Sequence, residues 1–191
     1  MPKSVKIEKE KIIETAFEMV KAQGEGALNA RSLAKALGCS TQPIFSNFSC
    51  MEDIKKEVIT RAENLHETYT AEEMQRTDIP LYKSSGLAYI RFARQEKELF
   101  KLLFMRDRTK EIIPPIEVLK PIVDIIVKTT GLSEKQAYLL HLEMWIYVHG
   151  IATMVATAYL DWDENTVSNM MSDVYQGVKE RFLKGEKNVS D

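Results

Sequence analysis

The sequence contains little glycine and proline, 8 and 6 residues in a chain of 191. It also lacks any sustained alternation of β-branched and polar residues, the pattern that is typical of half-buried strands. Because glycine and proline disfavour helix interiors, their scarcity and the missing strand pattern together predict an all-α protein. The periodicity of apolar residues and the helix-end signals along the chain predict about nine helices. The seventh is expected to begin at Ile116, and the eighth to begin with a Ser133–Gln136 capping box and to reach Leu160. Apolar residues make up 45% of the chain and charged residues 28%, which is ordinary for a globular protein with a proper core.

Cysteine is scarce as well, because the chain has only Cys39 and Cys50. With no recognisable signal peptide, this predicts a reducing, cytoplasmic environment rather than a disulfide framework. Cys50 falls near the start of a predicted helix, a setting that activates thiols. A redox role and a plain structural role are both open for it.

The motifs of common enzyme classes are missing: a glycine-rich phosphate loop, a G-x-S-x-G elbow and a convincing carboxylate pair. The three histidines, His66, His141 and His149, are far apart in the sequence. None has a Cys, Asp or Glu neighbour at a recognisable metal-ligand spacing. We therefore predict that the protein is not an enzyme and that it has neither a metal site nor a cofactor.

The net charge of −2 neither supports nor excludes a nucleic-acid partner. Residues 1–56 carry nine positive and seven negative side chains, so the rest of the chain has a net charge of −4. The positions of the basic residues matter more than their sum. They include Lys3, Lys6, Lys9 and Lys11 on an amino-terminal arm, and Lys55 and Lys56 further on.

The most informative segment reads ARSLAKALGCSTQPIFSNF and follows Asn29. Asn29 is a good cap for a first short helix, and Gly38 suits the end of that helix because glycine tolerates positive φ. Ser40 is expected to cap a second helix. Apolar residues repeat at helical spacing through both: Leu33, Ala34, Leu37, Ile44 and Phe48. Two short helices around a tight turn form a helix-turn-helix, whose second helix lies in the major groove of DNA.

These residues resemble the DNA-binding domain of the TetR family of bacterial transcriptional regulators. The matching segments are Ile12–Gly24, Leu28–Ser40 and Ile44–Phe48, followed by a new helix at Met51. The sequence departs from the family pattern at Phe45, Asn47 and Met51, where Tyr, His and Lys are common. The resemblance implies a three-helix DNA-binding domain over residues 1–56 and a helical effector-binding and dimerisation domain over residues 57–191.

The outward face of the second motif helix is predicted to contact DNA bases if Ile44 and Phe48 face inward. The candidate base contacts are Thr41, Gln42, Pro43 and Ser46. Among them, Gln42 suits adenine, because its amide matches the N6 and N7 pair in the major groove. The candidate phosphate contacts are Asn29, Arg31, Phe45, Asn47, Lys55 and Lys56. The alternative for each of these residues is a merely solvated surface.

Met144–Leu160 lacks Asp, Glu, Lys and Arg over seventeen residues. A helix that is apolar all round must be buried on all sides. A membrane span is disfavoured, because this length is at the short limit and flanking basic anchors are missing. We expect one face to pack on the core and the other on a partner subunit, where the last helix joins it in a four-helix interface. The candidate interface residues are Val148, Ala152, Val155, Tyr159, Met170, Val174 and Val178.

Gly86–Met105 and Trp145–Gly150 resemble the C-terminal domain of a TetR subgroup named for a Trp-His-Gly signature. Such domains usually hold an effector pocket, so the resemblance implies a small-molecule effector that is largely apolar. The candidate pocket residues are Tyr89, Phe92, Phe100, Phe104, Met144, Trp145 and His149. The alternative for any one of them is a plain core position, which the helical spacing fits equally well.

Together, these features predict a homodimeric, sequence-specific DNA-binding regulator of palindromic operators, most simply a repressor released by its effector. The family resemblance implies that effector binding shifts the fourth helix and changes the separation of the two motifs. No membrane is expected as a partner. The alternative function is a helical adaptor that binds a protein partner through its apolar eighth helix.

Overall fold

The structure, a computed structural model, describes residues 7–107, 109 and 116–185. Over these ranges the chain forms nine α-helices and no strand, which confirms the predicted all-α class. The helices are α1 Lys9–Gln23, α2 Ala30–Ala36, α3 Gln42–Phe45, α4 Met51–Met74, α5 Leu81–Gln95, α6 Lys97–Phe104, α7 Lys120–Thr130, α8 Glu134–Ala156 and α9 Glu164–Gly185. Short 3-10 turns cover Glu25–Ala27 and Ile116–Leu119.

By internal packing, the chain divides into two compact units. The first holds Met1–Thr68 and Gln95–Asp107, and the second holds Tyr69–Arg94 and Arg108–Asp191, as far as those residues are described. The helix α6 therefore packs with the motif helices although it lies beyond residue 56. The predicted boundary at residue 56 separates a DNA-binding domain from an effector-binding domain by function, not by packing. It stays a prediction.

The core of the first unit is built from the apolar faces of short helices. Four buried side chains follow one another on α1 at helical spacing: Ile12, Ile13, Ala16 and Val20. They share this unit with Leu33, Ile44, Ile54, Leu99 and Phe100, which are all fully buried. Burial of a side chain of this size contributes about 1.5–3 kcal/mol relative to leaving it exposed. The motif helices are thus held in place by packing rather than by their own short length.

An ion pair joins α1 to the start of α6 inside the first unit. The Lys21 ammonium lies 2.9 Å from Glu96 Oε1, and the Glu96 side chain is only 9% exposed. A buried carboxylate that lost its partner would be strongly destabilising. The pair therefore fixes α6 against α1.

The second unit has its core between α7, α8 and α9, with α5 supplying a further buried face. One cluster contains Val123, Ile126, Leu132, Ala137, Leu140 and Met144. On α5, Leu87, Ala88, Ile90, Phe92 and Ala93 are buried as well. The predicted Ser133–Gln136 capping box at the start of α8 is present, with each side chain bonded to the backbone of the other residue.

The helix α8 is the one helix in the described ranges that is long and apolar enough to cross a membrane by length and composition. Eight of its side chains are buried within the second unit, from Ala137 to Ala156. A core helix passes the same test of length and composition, so this feature is weak evidence for a span.

Several helix boundaries differ from the predicted ones for local reasons. The seventh helix was expected from Ile116, but α7 begins at Lys120, with Pro121 in its first turn. Proline lacks the N–H needed to continue a preceding helix and is favoured where a new one starts. The eighth helix was expected to reach Leu160, but it ends at Ala156. The prediction that Ser40 caps the third helix is wrong, since the capping position is Thr41, without a side-chain hydrogen bond.

Candidate nucleic-acid interface and ligand site

The first motif helix begins with a complete capping box. Asn29 Oδ1 accepts hydrogen bonds from the backbone N–H groups of Arg31 and Ser32, at 3.1 and 3.0 Å. In return, Ser32 Oγ accepts a bond of 3.1 Å from the N–H of Asn29. The predicted cap is confirmed. Because its oxygen already satisfies two backbone donors, Asn29 acts first as a structural residue.

The turn between α2 and α3 is a Schellman motif. Gly38 adopts φ +67°, and its N–H donates to Lys35 O at 3.2 Å. The N–H of Cys39 donates to Ala34 O at 3.0 Å, which closes the 6→1 bond of the motif. Glycine fits this left-handed position without the steric cost that Cβ brings. The predicted role of Gly38 is confirmed.

The helix α3 is a single helical turn with one buried side and one exposed side. Ile44 is fully buried, and Phe48, just beyond the helix, is 6% exposed. On the other side Gln42 and Ser46 are exposed, while Thr41 and Pro43 are half-buried. The Ser46 hydroxyl donates to Gln42 O at 2.9 Å, so it keeps its lone pairs as acceptors. The four predicted base contacts therefore share the accessible end of the motif.

The side chain of Asn47 forms hydrogen bonds with the backbone, whereas a phosphate contact was predicted for it. Its amide nitrogen donates to Pro43 O at 2.8 Å and to Ile7 O at 3.1 Å. An amide has two N–H donors, and both are used here. The remaining amide oxygen is an acceptor, like the phosphate oxygens. The predicted Asn47–phosphate contact is therefore incompatible with this arrangement, and Asn47 instead ties the chain entering α1 to the end of α3.

Most basic side chains of the first unit are already neutralised by carboxylates. Lys55 lies 3.0 Å from Glu25, and Lys56 lies 3.8 Å from Asp53. Further pairs join Lys9 to Glu57, Lys11 to Glu14, and Arg61 to Glu10. These contacts compete with any phosphate for Lys55 and Lys56. Lys3 and Lys6 of the arm lie outside the described residues.

Two basic residues of α2 are exceptions to this pairing. Arg31 and Lys35 are exposed and form no ion pair with any residue that the structure describes. They are four positions apart and therefore lie on one side of the helix. Arg31 is one of the candidate phosphate contacts named from the sequence, whereas Lys35 is not among them, although the i, i+4 spacing was available as a signal. Phe45, which was also predicted near phosphates, is 44% exposed and offers only apolar surface.

In the second unit, a polar pair lies among aromatic rings on α5 and α8. The Tyr89 hydroxyl and His149 Nδ1 are 2.9 Å apart. The Trp145 indole stacks on the His149 ring, with 5.4 Å between centroids and 19° between planes. Desolvation by burial lowers the pKa of His149 below its usual value, which favours the neutral imidazole at pH 7.

The other predicted pocket residues do not form one group with these three. Phe92 is fully buried and Met144 is 4% exposed, so both are core positions of the second unit. Phe100 and Phe104 belong to the first unit, where their rings pack 5.2 Å apart. The alternative interpretation, a plain core position, therefore fits Phe92, Phe100 and Met144 best.

Three of the residues predicted for a subunit interface are inaccessible. Val148, Ala152 and Val155 are at most 6% exposed within a single chain. Because the unit's own core covers them, an interface built on these three residues is excluded. Of the rest, Tyr159 is 78% exposed, and Met170, Val174 and Val178 are half-buried. The apolar side chains that α8 leaves most open are Ile146 and Trp145, at 64% and 48%.

The residues that the structure describes contain no group of three or more His, Cys, Asp or Glu side chains arranged to hold a metal ion. Cys39 is half-buried and Cys50 is exposed immediately before α4. Neither thiol forms a disulfide.

Part of the chain is similar to a known protein family. Residues 83–173 match the family model described as a tetracyclin repressor-like, C-terminal domain. A search of curated protein sequences gave no match. The finer likeness to the Trp-His-Gly subgroup stays a prediction.

Several solved structures share the fold over nearly the whole chain. A TetR-like transcriptional regulator from Rhodococcus sp. RHA1 has a TM-score of 0.65 at 10% identity, covering 97% of this chain and 99% of that one. A TetR family member from Streptomyces coelicolor A3 has a TM-score of 0.56 at 16% identity, over 86% and 96%. A variant of TetR from Acinetobacter baumannii AYE, in complex with minocycline, has a TM-score of 0.52 at 14% identity, over 97% and 100%. The chain therefore carries a tetracyclin repressor-like C-terminal domain and has the fold of the TetR-like transcriptional regulators.

Proposed function

We propose that this chain is a homodimeric, sequence-specific DNA-binding transcriptional regulator that acts in the cytoplasm on palindromic operators. The observation that carries the proposal is the orientation of α3. Its inner side chain, Ile44, is fully buried, and Gln42 and Ser46 are exposed beside each other. A helix held rigidly by its core and presenting short polar side chains is suited to the major groove.

Backbone contacts in this proposal come chiefly from α2. Arg31 and Lys35 bring positive charge that the described carboxylates do not compensate. Phosphate contacts of this kind set the position of a protein on the duplex and carry no sequence information. Lys55 and Lys56 contribute only if their ion pairs with Glu25 and Asp53 exchange for phosphates.

The partner subunit is proposed to cover the exposed face of α8 and the adjoining side of α9. Ile146 is 64% exposed there, and one turn later Gly150 has open space where a Cβ would project. A mid-helix glycine costs about 1 kcal/mol relative to alanine, and a close approach of the partner backbone would explain it. In a two-fold dimer the two motifs read half-sites about 34–36 Å apart.

The proposed switch is the release of a repressor by a small, largely apolar effector bound in the second unit. The Acinetobacter baumannii neighbour is a complex with minocycline, which is a precedent for a small-molecule ligand in this fold. The helix α4 begins in the first unit and ends in the second, so a ligand that moves its end would change the spacing of the motifs. Coupling of this kind requires a ligand that binds the two conformations with different affinity.

The test begins with selection of bound sequences from a random duplex library by the full-length protein. We expect enrichment of a palindrome, and an affinity for it that falls steeply with salt because counterions are released from the phosphates. In the selected operator, Gln42→Ala should lower discrimination at one base pair of each half-site by about 1–3 kcal/mol. Failure to enrich any sequence, or a Gln42→Ala variant with unchanged base preference, would contradict the proposal.

The second candidate function, a helical adaptor, rests on the same exposed Ile146. An adaptor would use this face for a different protein instead of a second copy. The two functions are separated by the experiment above, because an adaptor shows no steep salt dependence and no preferred palindrome.

A further inference from the structure

One aromatic ring is exposed on the helix that the proposed function places in the major groove. Phe45, the last residue of α3, is 44% exposed. Among the described residues of the first unit, Met105 is the one other large apolar side chain with a comparable exposure, at 43%. The Phe45 ring forms no ring–ring or cation–π contact with any residue that the structure describes. Nearly half of its apolar surface is therefore left uncovered by the described part of the chain.

The ring lies beside the polar side chains that are the candidate base contacts. Successive residues of an α-helix are about 100° apart around its axis, so Phe45 and Gln42, three positions apart, are separated by about 60°. Asn47 lies on the opposite flank, where its amide bonds the chain that enters α1. Ile44, which is fully buried, fixes the backbone of α3 from below. Phe45 therefore has a fixed place on the open flank of the helix, next to Gln42.

The chemistry of a phenyl ring matches one group of the major groove. The ring of Phe45 has no N–H or O–H to donate, so it cannot form the hydrogen bond that a phosphate oxygen accepts. The base edges in the major groove present donors and acceptors, with one apolar exception, the C5-methyl group of thymine. Contact between the ring and this methyl group removes apolar surface of both partners from water.

We infer that Phe45 is a base-reading residue that selects thymine through its C5-methyl group, beside the base pair that Gln42 contacts. This inference gives Phe45 a specificity role in place of the phosphate contact that the sequence predicted, and it rests on the proposed function. Loss of the methyl group should weaken binding about three- to fivefold per half-site, because burial of one such carbon contributes about this factor. The ring thus adds a preference for thymine that needs no hydrogen bond.

The test uses the full-length protein and the operator obtained by sequence selection. Each thymine of one half-site is replaced in turn by deoxyuridine, which removes the methyl group and leaves base pairing unchanged. At one thymine, this replacement should weaken binding by the wild type about three- to fivefold, as measured by fluorescence anisotropy. Phe45→Ala should bind the operator more weakly and should no longer distinguish thymine from deoxyuridine at that position. A double-mutant cycle of this kind isolates the contact between the ring and the methyl group.

Two further variants separate this contact from a general effect of exposed apolar surface. Met105→Ala is the matched control, because Met105 is equally exposed in the same unit but lies at the end of α6. It should keep the full discrimination at every thymine. Phe45→Leu retains an apolar side chain at the site and should keep part of the discrimination. Circular dichroism should show unchanged helix content for all three variants, since both side chains are exposed.

A crosslinking measurement tests the contact without any substitution in the protein. At the sensitive thymine, 5-iododeoxyuridine is introduced, in which iodine takes the place of the methyl group. Irradiation of the complex followed by mass spectrometry of the digested protein should locate the crosslink at Phe45. A crosslink at another residue would overturn the inference.

Three outcomes of the binding measurements would also overturn it. The first is a wild type that is insensitive to every deoxyuridine replacement. The second is a Phe45→Ala variant that loses affinity but keeps the same discrimination, because the ring would then contact only sugar or phosphate. The third is a selected half-site that contains no thymine on either strand.

Failure of this inference is distinguishable from failure of the proposed function. A chain that selects a palindrome and needs Gln42 for one base preference, but shows no methyl discrimination that depends on Phe45, would refute this inference alone. A chain that selects no sequence would refute the proposed function and the inference with it.

Discussion

Single residues near the motif differ in whether their charge or hydrogen-bonding capacity is already used. Asn47 donates both amide hydrogens to backbone carbonyls, and Lys55 forms an ion pair with Glu25. Lys35 has no such partner among the described residues and lies four positions from Arg31 on α2. A cation without a carboxylate partner gains more from a phosphate, because no existing ion pair has to break.

Replacement of Lys35 tests this distinction at the level of one charge. Lys35→Ala should reduce the slope of log affinity against log salt by about 1 per subunit, and should weaken binding to all sequences alike. Lys55→Ala is the matched control, with a smaller expected change in slope because its ammonium is already paired. Fluorescence anisotropy over a range of KCl concentrations measures both. A larger effect of Lys55→Ala than of Lys35→Ala would contradict the assignment.

At the scale of elements, the ends of helices are specified by local hydrogen bonds. The helix α8 ends in the same Schellman motif as α2: the N–H of Tyr159 donates to Met154 O at 2.9 Å, and that of Ala158 to Val155 O at 3.1 Å. The left-handed position is occupied by Ala158, with φ +57°. An alanine in this conformation costs about 1–2 kcal/mol, which glycine at Gly38 avoids.

The two Schellman motifs give a reciprocal pair of substitutions. Ala158→Gly should raise the free energy of unfolding by about 0.5–1 kcal/mol, since relief of the strained φ exceeds the added freedom of the unfolded chain. Gly38→Ala should lower it by about 1 kcal/mol, because nothing within 4 Å obstructs a Cβ and only the backbone conformation opposes it. Urea titration followed by circular dichroism measures both changes. Shifts of the same sign would refute the explanation.

The end of α4 shows a second kind of local control, based on charge. Glu73 is 6% exposed and accepts hydrogen bonds from Arg76 at 2.6 Å and Arg91 at 3.5 Å. Arg91 also bonds Glu72 and lies over the Tyr69 ring, 4.9 Å from its centroid. The carboxylate is buried while Arg76 and Arg91 are each more than a third exposed, so the two cations offset its desolvation from the solvent side. The last turn of α4 is therefore firmly attached within the second unit.

At the scale of the whole molecule, the surface that is proposed to contact a second copy of the chain lies on α8. Within the chain, α8 and α9 are linked by an ion pair between Glu143 and Arg181. Near that pair, Ile146 exposes most of its side chain. An aliphatic side chain left open on a long apolar helix gains free energy when a partner covers it.

A charge at this position should separate the proposed subunits. Ile146→Glu is expected to weaken self-association about 30-fold or more, because a carboxylate would be buried at the centre of the interface. Val118→Glu is the matched control, since Val118 is 61% exposed in the same unit but lies in the 3-10 turn before α7. Sedimentation velocity over a concentration series measures association. Equal association of both variants and the wild type would contradict the proposed interface.

The predictions that hold best depend on neighbours within a few positions of the sequence. The Asn29 cap, the left-handed Gly38 and the buried Ile44 all follow from helix-end and helix-period rules, which act over three or four residues. Asn47 and Lys55 were less predictable, because Ile7 and Glu25 are 40 and 30 positions away. Nothing in the local sequence specifies which distant group will occupy a polar side chain.

The sequence by itself determined the helical class, the position of the helix-turn-helix and the presence of one long apolar helix. Only the tertiary structure decided which side of α8 is available, since Val148, Ala152 and Val155 are buried and Ile146 is exposed. The physical reason is that, in an amphipathic helix, the pattern of polar and apolar residues indicates which face is buried. A helix that is apolar on every side has no such pattern. The packing of α5, α7 and α9 therefore determines which face of α8 stays exposed.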